Sequence, residues 1–486
     1  MSRFDHFRIQ GPCTRAPARL FRMRAGALAL PAATRGLAVL SWGFFLTPAA
    51  ISAPNASLPP LKVSADGRHL TVQGKPLLLL GDTVWLAQQR MTQSQVRTYL
   101  DHRKAQGFRA IGMQMDFGWS EGGRDVNGHC PYLSENGTAL NPDYWEYTSW
   151  IVNEAARRGL YVFLKASAME VRDYQWCMGG RGIRSVEDAY SHGRLLGEWF
   201  GRRGQMSNLV WMMSYDRTIE PDSAEAARMR AQAEGIADGF HGLSRFDGRA
   251  NYQGVFMTFH PAGPGASAAF HSEPWLAAAG VQLRHRNYND VALIAREVRR
   301  LPRKPVLNLE PRYEEAANAE EDPMVRSQAW LTFLHGGAAF MYGHWKVWRA
   351  RWADLQSAWN SRSVSQLRFL VQRLEQWQWW RLQPDMSVFG DSQADPAAMA
   401  AGASADQILV YVRGSRPFRV SLKRFRRPVA AVQLNPADNT AYDLGIYQPR
   451  DNPEFHVPPG WQDVVILLRE ASRMSPPRPS HGDRLK

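Results

Sequence analysis

The chain has 486 residues, 44% of them hydrophobic and 21% charged, which leaves room for two or three domains at about 100–200 residues each. That balance excludes a disordered chain, and three cysteines exclude a small disulfide-built fold. The net charge is +14, but the first 53 residues hold seven Arg against one Asp, so the rest carries +8. No nucleic-acid-binding motif accompanies it, and nucleic acid is not an expected partner.

The N-terminus has the order of a secretory signal. Arg22, Arg24 and Arg35 precede the apolar run Leu37–Leu46, and Ala49, Ala50, Ser52 and Ala53 follow. The run is shorter than the ~20 residues a membrane span needs. Residues 1–53 are therefore expected to be a signal peptide cleaved near Ala53; an uncleaved anchor is the alternative. The mature protein is expected to be secreted or periplasmic, with no membrane attachment.

Residues 61–75 read as a hairpin around Asp66-Gly67. An alternation of strands and helices follows. Strands are predicted at Leu77–Leu80, Phe108–Met115, Leu160–Ala166, Asn208–Met213, Gly254–Phe259, Val281–Leu283, Pro305–Leu309 and Ala338–Tyr342. Helices are predicted at Thr92–Gln106, Asp143–Arg158, Val186–Arg202, Ser223–Ala237, Asn289–Arg300 and Met324–His335, with a further Trp-rich one at Ser363–Arg381. Continuous apolar strands suit a parallel sheet buried on both faces. The expected fold is α/β, a (β/α)8 barrel over 54–385; an open doubly wound sheet is the alternative. From Met386 short strands divided by Pro, Gly and Asp turns (Ile408–Arg413, Phe418–Leu422, Ala430–Leu434, Val464–Leu468) predict a small antiparallel β-sandwich over 386–472. Residues 473–486 read as a disordered tail.

The predicted strands end at Asp82, Asp116, Asp216, His260, His285, Glu310 and His344, and a barrel holds its active site at the C-terminal ends of its strands. Strands four and seven lie across a barrel, so Asp216 and Glu310 face one another. Two facing carboxylates are what glycoside cleavage uses. Ion pairs with Arg217, Arg312 or Arg284 are the bland alternative for these two. Trp85, Trp119, Tyr313, Tyr342, Trp345 and Trp348 follow strand ends and suit the C–H faces of sugars. Asp82, Asp116, Arg284, His260, His285 and His344 would meet the hydroxyls or an acidic substituent. Cys130 and Cys177 fall in adjacent rim loops and are expected to form a disulfide. No CxxC or His-rich spacing suggests a metal, and no cofactor is expected.

Several segments come in an order that resembles the apiosidase-like family of glycoside hydrolases (family 140). They are Gly81-Asp82-Thr83-Val84-Trp85, Asn208-Leu209-Val210-Trp211 with Asp216-Arg217, Lys304-Pro305-Val306-Leu307 with Glu310-Pro311-Arg312-Tyr313-Glu314, and Tyr342-Gly343-His344 with Trp348. The run His271–Leu276 is similar as well, and the likeness covers about residues 61–385. It implies a retaining glycoside hydrolase with Asp216 as acid/base and Glu310 as nucleophile. The pattern departs at Ser214-Tyr215, where the family commonly has two glycines, and at Leu283-Arg284, where it has smaller residues. The expected substrate is a complex, possibly acidic, polysaccharide with a furanosyl or related linkage. A non-catalytic glycan-binding or exopolysaccharide assembly protein, and a transglycosylase, are the competing readings.

Overall fold

The computed structural model describes residues 57–115, 123–165, 182–283, 288–315, 322–390 and 394–471. The predicted signal segment, the C-terminal tail, Asp116, Trp119, Cys177, Arg284 and His285 lie outside them. Residues Pro54–Lys486 form one compact unit. It opens with a three-stranded antiparallel sheet, Leu61–Val63, Leu70–Val72 and Lys75–Leu77.

Eight strands then carry the barrel: β1 (Leu79–Thr83), β2 (Ala110–Gln114), β3 (Tyr161–Lys165), β4 (Leu209–Arg217), β5 (Met257–Pro261), β6 (Ala279–Gln282), β7 (Val306–Glu310) and β8 (Gly337–Tyr342). They pair in parallel in the order β5-β4-β3-β2-β1-β8-β7-β6. The circle closes between β5 and β6: Thr258 bridges Ala278, and the Ala277 N–H donates to the Met257 carbonyl at 2.9 Å. Closure depends on Gly280, where an added Cβ would lie 1.9 Å from the Phe259 carbonyl oxygen. Only glycine allows the two backbones this approach.

Two short helices, Ala87–Arg90 and Trp352–Ala358, stand outside the predicted set; among the described residues the other seven follow the predicted places. They are α1 (Gln93–Ala105), α2 (Pro142–Arg157), α3 (Val186–Arg202), α4 (Ala224–His241), α5 (Ala292–Val298), α6 (Asp322–Leu334) and α7 (Arg362–Gln376). Their starts are written locally. Thr92 caps α1 in a capping box with Gln95, and Ser185 and Ser223 cap α3 and α4. Between β5 and β6 a 3-10 turn, Ser267–Phe270, stands where a regular barrel has a helix.

The C-terminal region is a six-stranded antiparallel sheet. It includes β9 (Met399–Ala403), β10 (Gln407–Arg413), β11 (Val429–Leu434), β12 (Ala441–Tyr447) and β13 (Asp463–Glu470). Period-two alternation on β10 divides its contacts. Ile408, Val410 and Val412 pack with Phe418 and Phe455 of a two-stranded ribbon, while Leu409 and Tyr411 join a cluster with Trp330 of α6 and Leu370 of α7. A buried Arg326–Asp463 pair, with two hydrogen bonds of 2.9 Å, ties α6 to β13. The sheet is thus built onto the barrel wall.

Candidate active site

Four strands bring the side chains of one pocket to the C-terminal rim. Lys165 ends β3, Asp216 lies at the end of β4, His260 near the end of β5, and Glu310 ends β7. Asp216 reaches it through a bulge. β4 and β5 pair as far as Met213–Phe259, and pairing resumes at Arg217–Pro261. The backbone turns left-handed at Ser214 (φ 73°) and Asp216 (φ 49°). Such a bulge re-aims side chains next to active sites. Arg217 turns away and pairs with Glu225 at 3.0 Å, so it does not neutralise Asp216.

Electrostatics link these groups. Burial and then the Glu310 carboxylate raise the pKa of Asp216 above the ordinary value of 3.8. His260, Lys165 and a hydrogen bond from Gln282 oppose that rise. Gln282 is also the register partner of Glu310 across β6 and β7. His260 Nε2 comes within 3.2 Å of Glu310 Oε2, though off the line of a well-directed hydrogen bond. Burial foremost, and Lys165 next, lower the pKa of His260 from 6.5, which favours the neutral ring at pH 7.

Glu310 is oriented from behind. The Tyr313 hydroxyl donates to it and accepts from the Trp85 indole N–H at 2.6 Å. Gly343 makes room for that phenol; a Cβ there would sit 2.3 Å from the Tyr313 ring. Trp85 stands edge-on to His260 with ring centres 5.9 Å apart, and Lys165 Nζ lies 4.5 Å from its ring centre. Trp85 and Tyr313 are buried, so they floor the pocket. In the loop after β8, Trp345, 41% exposed, and the half-buried Trp348, 5.9 Å from it, are aromatics that solvent reaches.

Three predicted rim residues are placed elsewhere. Asp82 points outward from β1 and accepts from Arg103 Nε at 2.5 Å and the Tyr99 hydroxyl at 2.6 Å, with both members of the ion pair fully buried. Tyr342 hydrogen-bonds Glu314 and Ser361, against the start of α7. His344 is buried, and its Nδ1 accepts from the Lys346 N–H at 3.0 Å. These three brace the rim. Asp116, Arg284 and His285 lie outside the described residues. Cys130 is disulfide-bonded; Cys177, its expected partner, also lies outside them.

Sequence reasoning missed Lys165 and Gln282. The signal for Lys165 was present: a lysine closes the otherwise apolar strand Tyr161–Lys165 at the end where barrels keep their chemistry. Gln282 stands at the end of the apolar strand Ala279–Gln282, where it keeps the Gln of the family's strand-six run, and that was its signal. Among the described residues, no group of His, Cys, Asp or Glu is arranged to hold a metal, and no helix is long and apolar enough to cross a membrane.

Residues 64–381 match the family model described as apiosidase-like, catalytic domain. Among solved structures, one glycoside hydrolase is 22% identical at a TM-score of 0.72, over 86% of this chain and 99% of its own. A glycoside hydrolase family 5 protein from Bacteroides vulgatus is also 22% identical at a TM-score of 0.72, over 85% of this chain and 95% of its own. At that identity the likeness is one of fold. No curated protein matches the chain.

Proposed function

The chain belongs to the apiosidase-like glycoside hydrolases and is a glycosidase; from that premise we propose that it is an exported, retaining enzyme with Asp216 as acid/base and Glu310 as nucleophile. The observation that carries the reading is the clustering of Asp216, His260 and Glu310 at the ends of β4, β5 and β7, with His260 Nε2 3.2 Å from Glu310 Oε2; burial first and the Glu310 carboxylate next raise the pKa of Asp216 there. A raised pKa favours the protonated carboxyl that a general acid needs for the leaving oxygen. Glu310, oriented by Tyr313, attacks the anomeric carbon and forms a glycosyl-enzyme. Asp216, now deprotonated, draws a proton from the water that releases the sugar.

The substrate is an acidic polysaccharide carrying a furanosyl or related linkage. Arg349 supports this. Its guanidinium lies 5.0 Å from the Trp345 ring centre and 4.9 Å from that of Trp348, in the loop after β8. Among the described residues it forms no ion pair with a carboxylate. Burial first, then Arg351 and Arg90, lower its pKa. Asp354 opposes that fall without pairing with the guanidinium, and a sugar carboxylate stacked beside the two indoles would supply a direct partner. Export rests on the signal-like N-terminus, and the mature chain should begin near Pro54.

The deciding experiment is NMR of the first product. Retention of anomeric configuration is expected, together with a single covalent sugar on the protein after reaction with an activated fluoroglycoside. Glu310→Gln should abolish that adduct. Inversion of configuration would overturn the nucleophile assignment, because an inverting pair stands about 6.5–9.5 Å apart and uses water directly.

A further inference from the structure

At the opposite end of the barrel, the segments that enter β7 and β8 meet the N-terminal sheet and the first residues of the C-terminal region. A cleft of about 280 Å³ opens there, and Arg68, Arg299, Arg303 and His335 line it. A second hollow adjoins it across Arg68, Val298 and Pro384 and is lined by Trp379 and Trp380. Neither lining includes a carboxylate.

The cations divide into two kinds. Arg68 is structural: it pairs with Asp66 at 2.5 Å and donates to the carbonyls of Leu382 and Trp380 at 3.0 and 3.4 Å. His335 is buried and hydrogen-bonds the Pro396 carbonyl at 2.8 Å. Arg299 and Arg303 are exposed, and among the described residues no carboxylate pairs with either. The nearby acids are engaged elsewhere. Glu297 holds Arg296 and Arg300, and Asp385 holds Arg424. The two free guanidiniums therefore face a cleft with a positive lining and an indole pair at its edge. Charge complementarity asks for a polyanion, and the indoles ask for flat apolar faces beside the charges.

We propose that this cleft is a second glycan-binding site, in which Arg299 and Arg303 hold carboxylates of an acidic polysaccharide and Trp379 and Trp380 pack its rings. The choice of a glycan over other polyanions rests on the proposed function. The site lies at the far end of the strands from Asp216 and Glu310, so a ligand that reaches both is a polymer. It would anchor a long substrate and leave short ones unaffected.

Affinity electrophoresis in gels containing alginate, with dextran as the neutral control, tests this on the full-length protein. The wild type should be retarded by alginate and not by dextran. The double variant Arg299→Ala/Arg303→Ala should weaken alginate retention by roughly tenfold or more, since each lost charge-assisted contact is worth about that factor. Glu310→Gln should bind as the wild type does. The double variant should keep its kcat/KM on a short glycoside. Equal retention of wild type and double variant, no retention by alginate at all, or tighter arginine-dependent binding of DNA or anionic vesicles would each overturn the proposal. Arginine-dependent retention in a protein that cleaves no glycoside would break the catalytic assignment and leave this site standing. Cleavage with retention indifferent to the arginines would do the reverse.

Discussion

Asp82 and Asp216 sit at the ends of barrel strands β1 and β4, and their surroundings could hardly differ more. Asp82 is sealed behind the strand with Arg103 and Tyr99, at 0% exposure for both ion-pair partners. Asp216 is carried by a bulge into the pocket, reached by solvent and set against Glu310. One carboxylate meets a cation and a phenol and becomes a fastening between strand and helix. The other lies in the pocket beside a second carboxylate, and burial first and that carboxylate next raise its pKa. A charged residue at a strand end therefore takes its role from the side of the strand on which it emerges.

The sharpest break between the two should come from removing each carboxylate. Glu310→Gln and Asp216→Asn should lower kcat/KM by about 10²–10⁴-fold or more while leaving the melting temperature near that of the wild type. Asp216→Asn should lose less on an aryl glycoside, whose leaving group needs little protonation. Equal loss on both substrate classes would contradict the acid/base assignment.

On the outward side the loss should appear in stability. Arg103→Met leaves Asp82 buried with only a phenol, and breaking such a pair costs about 3–5 kcal/mol. Denaturant unfolding would read this directly. Adding Asp82→Asn to the same chain should recover part of the loss, because the unpaired charge is then gone. The Arg326–Asp463 pair, which fastens the C-terminal sheet, should respond to Arg326→Met in the same way.

A smaller effect should separate tuning from chemistry inside the pocket. Lys165 opposes the rise in the Asp216 pKa. Lys165→Met should therefore raise that pKa further. Because the protonated acid is the active form, the alkaline limb of kcat/KM should move to higher pH. Gln282→Leu should shift it in the same direction, through the lost hydrogen bond. A limb that stays in place or moves down in a pH–rate profile would show that another group governs it.

The smallest expected change is at the bulge itself. Ser214 occupies a left-handed conformation at φ 73°, which costs a non-glycine residue about 1–2 kcal/mol. Ser214→Gly should relieve it, partly offset by the greater entropy of glycine in the unfolded chain. Thermal unfolding should show a net gain of about 0.5–1 kcal/mol. The same φ gives a physical reason for the first of the two glycines that the family carries at this place.

What the sequence determined by itself was local. Apolar runs of strand length, Thr92, Ser185 and Ser223 as helix caps, and glycine stops repeat along the chain, and that repetition is enough to specify the alternation and hence a parallel α/β sheet; its closure into a barrel, rather than an open doubly wound sheet, is decided by the contacts between β5 and β6. The order of strand ends marked Asp216, His260 and Glu310 as rim residues. Tertiary structure decided which rim residues share a pocket. Asp82, Tyr342 and His344 also stand at strand ends, and position along the chain alone does not say which face of the strand a side chain at its end takes. Lys165 joins the pocket because β3 and β4 are neighbours, and Gln282 because β6 pairs with β7 at Glu310. Those are contacts between residues far apart in the chain, and only the closed sheet brings them within reach of each other.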